Sequence, residues 1–146
     1  MSLVNLVSSL VMAAKLPRTV VPLMQFLPMF PCTGLGALRR RPEVRWRRTI
    51  KDLAPLLQLQ LELSDAALSV LNPGGFFGYA TCSPHFAETT GQVRQILKKH
   101  PELELVDIEG FLPDGLTSAT REGALSLWGH KHHSDSMFLA IFKKAN

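Results

Sequence analysis

The stretch Asn72-Pro73-Gly74-Gly75-Phe76-Phe77-Gly78-Tyr79-Ala80-Thr81-Cys82-Ser83-Pro84 decides how this chain folds. Its first four residues are strong turn chemistry and close whatever helix precedes them. Phe76 to Thr81 is a short, almost wholly apolar run, the pattern of a strand buried on both faces of a sheet. A cysteine ends that run, and Pro84 then forces the chain to turn. Ligands of open α/β sheets bind outside the carboxyl ends of the strands, so Cys82 stands where a reactive group is placed. A lone cysteine is more commonly a small buried hydrophobe. The polar flanks Thr81 and Ser83 count against that reading here.

Upstream of the turn, apolar residues recur at helical spacing from Thr49 to Leu71 and predict a long amphipathic helix, broken near Pro55. Downstream, a helix is expected from about Glu88 to Lys99 with Val93, Ile96 and Leu97 inward, stopped by His100-Pro101. A strand is expected over Leu103 to Ile108, a loop over Gly110 to Gly123, and a last strand over Met137 to Phe142. The alternation of helix and strand predicts an α/β layered sheet. That sheet is incomplete unless the N-terminal stretch adds to it.

Hydrophobic residues make up 46% of the 146 and charged ones 19%, which supports one domain with a real core and argues against disorder. Two cysteines are too few for a disulfide scaffold, and a reduced, cytoplasmic protein is the expectation. No apolar run is long enough to span a bilayer. Residues 1–30 lack the basic start of a signal peptide, carry four prolines if Pro31 is counted with them, and read as poorly specified sequence.

Charge is concentrated. Between Arg39 and Lys51 lie seven basic residues and one acid, Glu43, before Lys51 is followed by Asp52. Arg39, Arg40, Arg41, Arg45, Arg47 and Arg48 can fork onto phosphates, and Trp46 among them offers a ring for an unpaired base. The other reading is a solvated basic face. Just before this patch, Pro31-Cys32-Thr33-Gly34-Leu35-Gly36 puts the second cysteine in a tight turn, which alone is weak evidence of a site. His130-Lys131-His132-His133 lacks the ligand spacing of a zinc site, so no metal is expected.

Together these motifs resemble the Sun/Fmu/Nop-type family of RNA cytosine-5 methyltransferases, from about Pro31 to Lys144. Pro31-Cys32-Thr33-Gly34 is similar to the family's first cysteine motif, and Arg40-Arg41-Pro42-Glu43 with Arg45-Trp46-Arg47 to the basic stretch that follows it in the bacterial 16S ribosomal RNA enzymes. Tyr79-Ala80-Thr81-Cys82-Ser83, with Glu88 beyond, is similar to the second cysteine motif, and Leu127-Trp128 to Ala140 to the closing segment.

The resemblance implies a partial Rossmann-like methyltransferase sheet over residues 31–146, holding the C-terminal strands and helices. It implies ribosomal RNA as partner and S-adenosyl-L-methionine as cofactor. It assigns Cys82 as the nucleophile that adds to ring carbon 6 of cytosine, making carbon 5 able to take a methyl group. Cys32 is assigned to product release. Two departures qualify this. The family's acid two places before the proline is Met29 here, and residues 1–30 contain no acid. The family's glycine-rich cofactor loop is not found either, so weak cofactor binding by a truncated chain is expected. The alternative expectation is a catalytically silent remnant or RNA-binding module.

Overall fold

A computed structural model describes residues 24–26, 29–112, 116 and 119–146. Its centre is the quoted stretch. Phe76–Thr81 forms a strand, β2, and the chain's last strand, β6 (Met137–Lys144), lies antiparallel beside it from Phe76↔Lys143 to Thr81↔Phe138. On its other side β2 pairs in parallel with β1 (Met24–Phe26). The opening segment thus contributes a strand that its sequence did not announce.

The far edge of β6 is shared by two strands placed end to end. β3 (Leu103–Val106) pairs with residues 141–144, and β5 (Ala124–Leu127) pairs with residues 137–139. A two-residue strand, β4 (Thr120–Arg121), extends β5 as a hairpin. The sheet is therefore mixed, parallel at β1–β2 and antiparallel elsewhere among the described residues.

Alternation along β2 and β6 builds a layer on each face of the sheet. Phe77, Tyr79, Phe138, Ala140 and Phe142 face two helices, α2 (Leu53–Ser69) and α3 (Thr90–Lys99), and form one core with Leu68, Val93 and Ile96. A four-residue helix over Val44–Arg47, α1, precedes them. Ala80, Leu139 and Ile141 face the other way and pack with Ile108, Leu125 and Leu127. Full burial of one such aromatic or aliphatic side chain is worth roughly 1.5–3 kcal/mol. Phe30 anchors the chain arriving from β1, its ring 4.7 Å from that of Tyr79 and 6.1 Å from that of Phe77.

Several boundaries differ from expectation, each for a local reason. The first long helix is not broken at Pro55. The proline is the third residue of α2, inside the first turn, where its missing N–H has no intrahelical partner to lose. A tight turn over Ile50–Asp52 precedes α2, boxed by Thr49, whose N–H donates to Asp52 Oδ2 at 2.7 Å. The predicted helix start at Glu88 is instead a separate turn, Phe86–Glu88, and α3 begins at Thr90. The expected loop over 110–123 already contains β4, and β5 follows it unannounced. The turn at Asn72–Gly75 forms as read. Gly74 takes a left-handed φ of 72°, and its N–H donates to Lys144 O at 3.0 Å, tying the turn to the end of β6.

Candidate active site

The backbone at Met29 and Phe30 runs along the end of β2, with Phe30 N–H donating to Ala80 O at 2.9 Å. This carries Cys32 to Cys82, one residue beyond the strand end. The two sulfurs stand 3.3 Å apart and neither is in a disulfide. Gly36 fixes the approach. Its N–H donates to Cys82 O at 2.9 Å and its carbonyl accepts from Ser136 N at 3.0 Å. A Cβ on Gly36 would lie 2.7 Å from Cys82 O and closer still to Ser136 O, so only glycine fits.

Behind the sulfurs sits Glu88, fully buried. Its Oε1 accepts from Thr33 N at 2.8 Å and from Gln60 Nε2 at 3.2 Å. Its Oε2 accepts from the Thr33 hydroxyl at 2.5 Å and the Ser83 hydroxyl at 2.6 Å. One carboxylate thus grips the residue after each cysteine. Gln60, from α2, donates also to Pro31 O at 2.9 Å, while its own oxygen accepts from Gln92 Nε2 at 2.9 Å. The Tyr79 hydroxyl, under β2, lies 2.9 Å from Glu88 O and 3.0 Å from Gln60 Oε1, and burial pushes its pKa up. Buried polar groups are costly unless satisfied, and this network satisfies them.

The two thiols are driven apart in acidity. A hydrogen bond from the Cys32 S–H pulls the pKa of Cys82 down to about 7, against burial and the charges of Glu88 and Asp135. The same bond, with burial, drives Cys32 up. The two sulfurs titrate as a pair, and the shifts point to Cys82 as the one that gives up its proton first, near neutral pH. Cys32 is 8% exposed, whereas Cys82 is half-buried and opens to a cleft of about 650 Å³.

Arg41, Arg47 and Arg48 line that cleft with both cysteines. Three of the six arginines singled out by sequence thus share a cleft with the thiols. Arg40 is off that lining, but its charge and that of its partner Asp135 both act on Cys82. Its Nε donates to Asp135 Oδ2 at 2.8 Å, and a second contact comes from its terminal nitrogen. Asp135 is nearly buried, and its Oδ1 has no hydrogen bond among the described residues. Arg39, Arg45 and Trp46 are exposed away from the lining, Trp46 at 82% with the Arg45 guanidinium 5.6 Å from its ring centre. A second cleft, about 240 Å³, begins at Ser83 and Pro84 and is walled by Phe86 and Trp128.

Sequence reading did not name Gln60, Gln92 or Thr33 as site residues. For Gln60 the structure shows what the leucine pattern of the sequence hides. Gln60 shares a helical stripe with Ser64 and Leu68, all three buried, while Leu59 and Leu63 beside them are about 40% exposed. The histidine run forms the short helix α4 (Gly129–His132), where His132 Nδ1 accepts from Trp128 N at 2.9 Å. Among the described residues no group of three or more His, Cys, Asp or Glu could hold a metal. No described helix is long and apolar enough to cross a membrane.

The residues about the cleft do not fit S-adenosylmethionine, whose ribose hydroxyls and ammonium need acceptors. Met29 joins the cysteine cleft to an apolar pocket of about 320 Å³ formed with Phe30, Pro31, Leu63 and Val70. Among the described residues, the carboxylate lining these two spaces is Glu43 alone, already paired with Arg41 at 3.3 Å.

The two cysteines thus face each other at one strand end of a sheet that is part of a Rossmann-like methyltransferase fold. Residues 25–143 match the 16S rRNA methyltransferase RsmB/F family, and the chain belongs to it. It is 46% identical over 114 residues to a Mycobacterium tuberculosis protein named as a methyltransferase, covering 78% of this chain and 25% of that one. It is 36% identical over 115 residues to ribosomal RNA small subunit methyltransferase B of Yersinia pseudotuberculosis, with the same coverages of 78% and 25%. Among solved structures, PH0851 matches with a TM-score of 0.70 at 34% identity, covering 79% of this chain and 25% of that one. NSun6 from Pyrococcus horikoshii, solved with SFG, matches with a TM-score of 0.66 at 26% identity, over 82% and 29%. The chain spans about a quarter of the length of these relatives.

Proposed function

We propose that this chain carries the thiol chemistry of cytosine-5 methylation in small-subunit ribosomal RNA. The observation that supports the reading best is the half-buried Cys82, 3.3 Å from Cys32 in a cleft lined by three arginines. In this reading the Cys82 sulfur adds to ring carbon 6 of a cytosine, making carbon 5 nucleophilic. Cys32, which keeps its proton, stands at the sulfur that must later leave and assists release of product. Arg41, Arg47 and Arg48 hold phosphates beside the target, with Arg39, Arg45 and Trp46 extending the contact. Phe86 and Trp128 offer rings for neighbouring unpaired bases.

The methyl source of the reaction is S-adenosyl-L-methionine, consistent with a relative solved with an analogue of it. No step through it is assigned to the described residues, and the chain by itself is expected to bind it weakly or not at all. The free state of both cysteines and the family's substrate suit a reduced cytoplasmic compartment.

The test uses small-subunit ribosomal RNA carrying 5-azacytosine, whose ring nitrogen at position 5 makes carbon 6 electrophilic without any methyl donor. Labelled RNA should migrate with the chain on a denaturing gel. Cys82→Ala should abolish the adduct, and Cys32→Ala should keep it, formed more slowly near neutral pH. An adduct surviving Cys82→Ala and lost with Cys32→Ala would reverse the assignment. RNA binding with no adduct at all would make the chain an RNA-binding module.

A further inference from the structure

We propose that Cys32 and Cys82 form a dithiol that hydroperoxides oxidise to a disulfide, a reversible modification site built into the catalytic cleft. The geometry points there first. The sulfurs are 3.3 Å apart, about 1.2 Å more than a disulfide bond. Fifty residues separate them in sequence, yet hydrogen bonds lace their loops together, through Gly36 to Cys82 O and through Glu88 to both Thr33 and Ser83.

Exposure orders the chemistry. Both cysteines line the arginine-walled cleft, but Cys82 is the more exposed and meets a peroxide first, while Cys32 is buried. The Cys82 thiolate attacks one peroxide oxygen. A sulfur–oxygen bond forms, the oxygen–oxygen bond breaks, and the departing hydroxide takes a proton from solvent to leave as water. Cys32 then gives up its proton, and its sulfur attacks the sulfenic sulfur of Cys82. The sulfur–sulfur bond forms, the sulfur–oxygen bond breaks, and a second water leaves. Two electrons pass from the thiols to the peroxide. A dithiol reductant reverses the modification by exchange.

A neighbouring thiol of this kind protects against irreversible loss. A sulfenic acid left alone proceeds to sulfinic acid. Here the nucleophile would be stored as a disulfide instead. That storage silences methyl transfer only if the proposed function is right, whereas the modification itself rests on the two sulfurs alone.

The experiment treats the folded chain with hydrogen peroxide, alkylates remaining thiols, and maps peptides by mass spectrometry. The expected product is a single Cys32–Cys82 linked peptide, with both thiols lost together and both restored by dithiothreitol. In Cys32→Ala, Cys82 should instead accumulate as sulfinic acid. If that variant fails to fold, the wild-type chain in denaturing urea provides the contrast, with the linked peptide falling several-fold. Sulfinic acid at Cys82 with Cys32 still alkylated, or both thiols untouched, would overturn the proposal. The readout needs neither RNA nor methyl donor, so it can fail while RNA adduct formation stands, and the reverse.

Discussion

The back and the rim of the cysteine cleft are built on opposite terms. At the back, Glu88 and Gln60 are fully buried and every hydrogen bond to the Glu88 carboxylate comes from a named donor. At the rim, Arg41, Arg47 and Arg48 are exposed, and Arg41 pairs with Glu43 beside it. The contrast follows from what each must do. A thiol that shares a proton with its neighbour needs fixed distances, which only a packed, satisfied interior supplies. Charges that meet phosphates need reach rather than precision, and they act through solvent.

Damage at the back should therefore destroy the fold and the chemistry together. Glu88→Ala should take the carboxylate from the Thr33 amide and the Thr33 and Ser83 hydroxyls in a buried site, and one of two acceptors from the Gln60 amide. It should cost about 3 kcal/mol or more in chemical denaturation. A loss under about 1 kcal/mol would mean the carboxylate is not the tie between the two cysteine loops.

A smaller effect should come from Gly36→Ala. The added methyl meets Cys82 O at 2.7 Å, and the strain of relieving it is expected at about 1–3 kcal/mol. Because the same shift moves Cys82, the rate of its alkylation at neutral pH should fall even when the variant is folded. An alkylation rate like that of wild type would separate Gly36 from the thiol geometry.

Damage at the rim should leave stability alone. Replacing Arg41, Arg47 and Arg48 together by alanine should not move the denaturation midpoint. It should flatten the slope of log affinity against log salt for single-stranded RNA by roughly 2, at about 0.7 per phosphate contact. An unchanged slope would make the rim a solvated face and leave the site without its RNA wall.

The same contrast explains what could be read from the sequence. The buried strand Phe76–Thr81, its cysteine end and the arginine cluster are contiguous, so local pattern carries them. The cluster reaches the thiols because Cys32 lies only a short way upstream of Arg41 in the same turn-rich segment. The back of the site is assembled from Thr33, Gln60, Ser83, Glu88 and Gln92, which lie on separate segments and meet only by long-range packing. Gln60 and Ser64 do not enter an apolar count, which the leucines at positions 59 and 63 dominate although they are the more exposed. β4 and β5 were hidden by Gly and Ser content, and β1 by prolines around it, since tertiary pairing overrides weak local preference.

The methylation chemistry proposed for the cleft depends on Cys82 being the poised thiol and Cys32 being what poises it. The direct measurement is the alkylation rate of each cysteine, followed by peptide mass spectrometry across pH, in wild type and Cys32→Ala. Cys82 should react first, with a midpoint at about 7, its thiolate being lost as pH falls through that value. Removing the Cys32 S–H should move the midpoint up toward the ordinary thiol value of about 8.5. If Cys32 reacts first, or if the Cys82 midpoint stays in place without Cys32, the central claim is wrong.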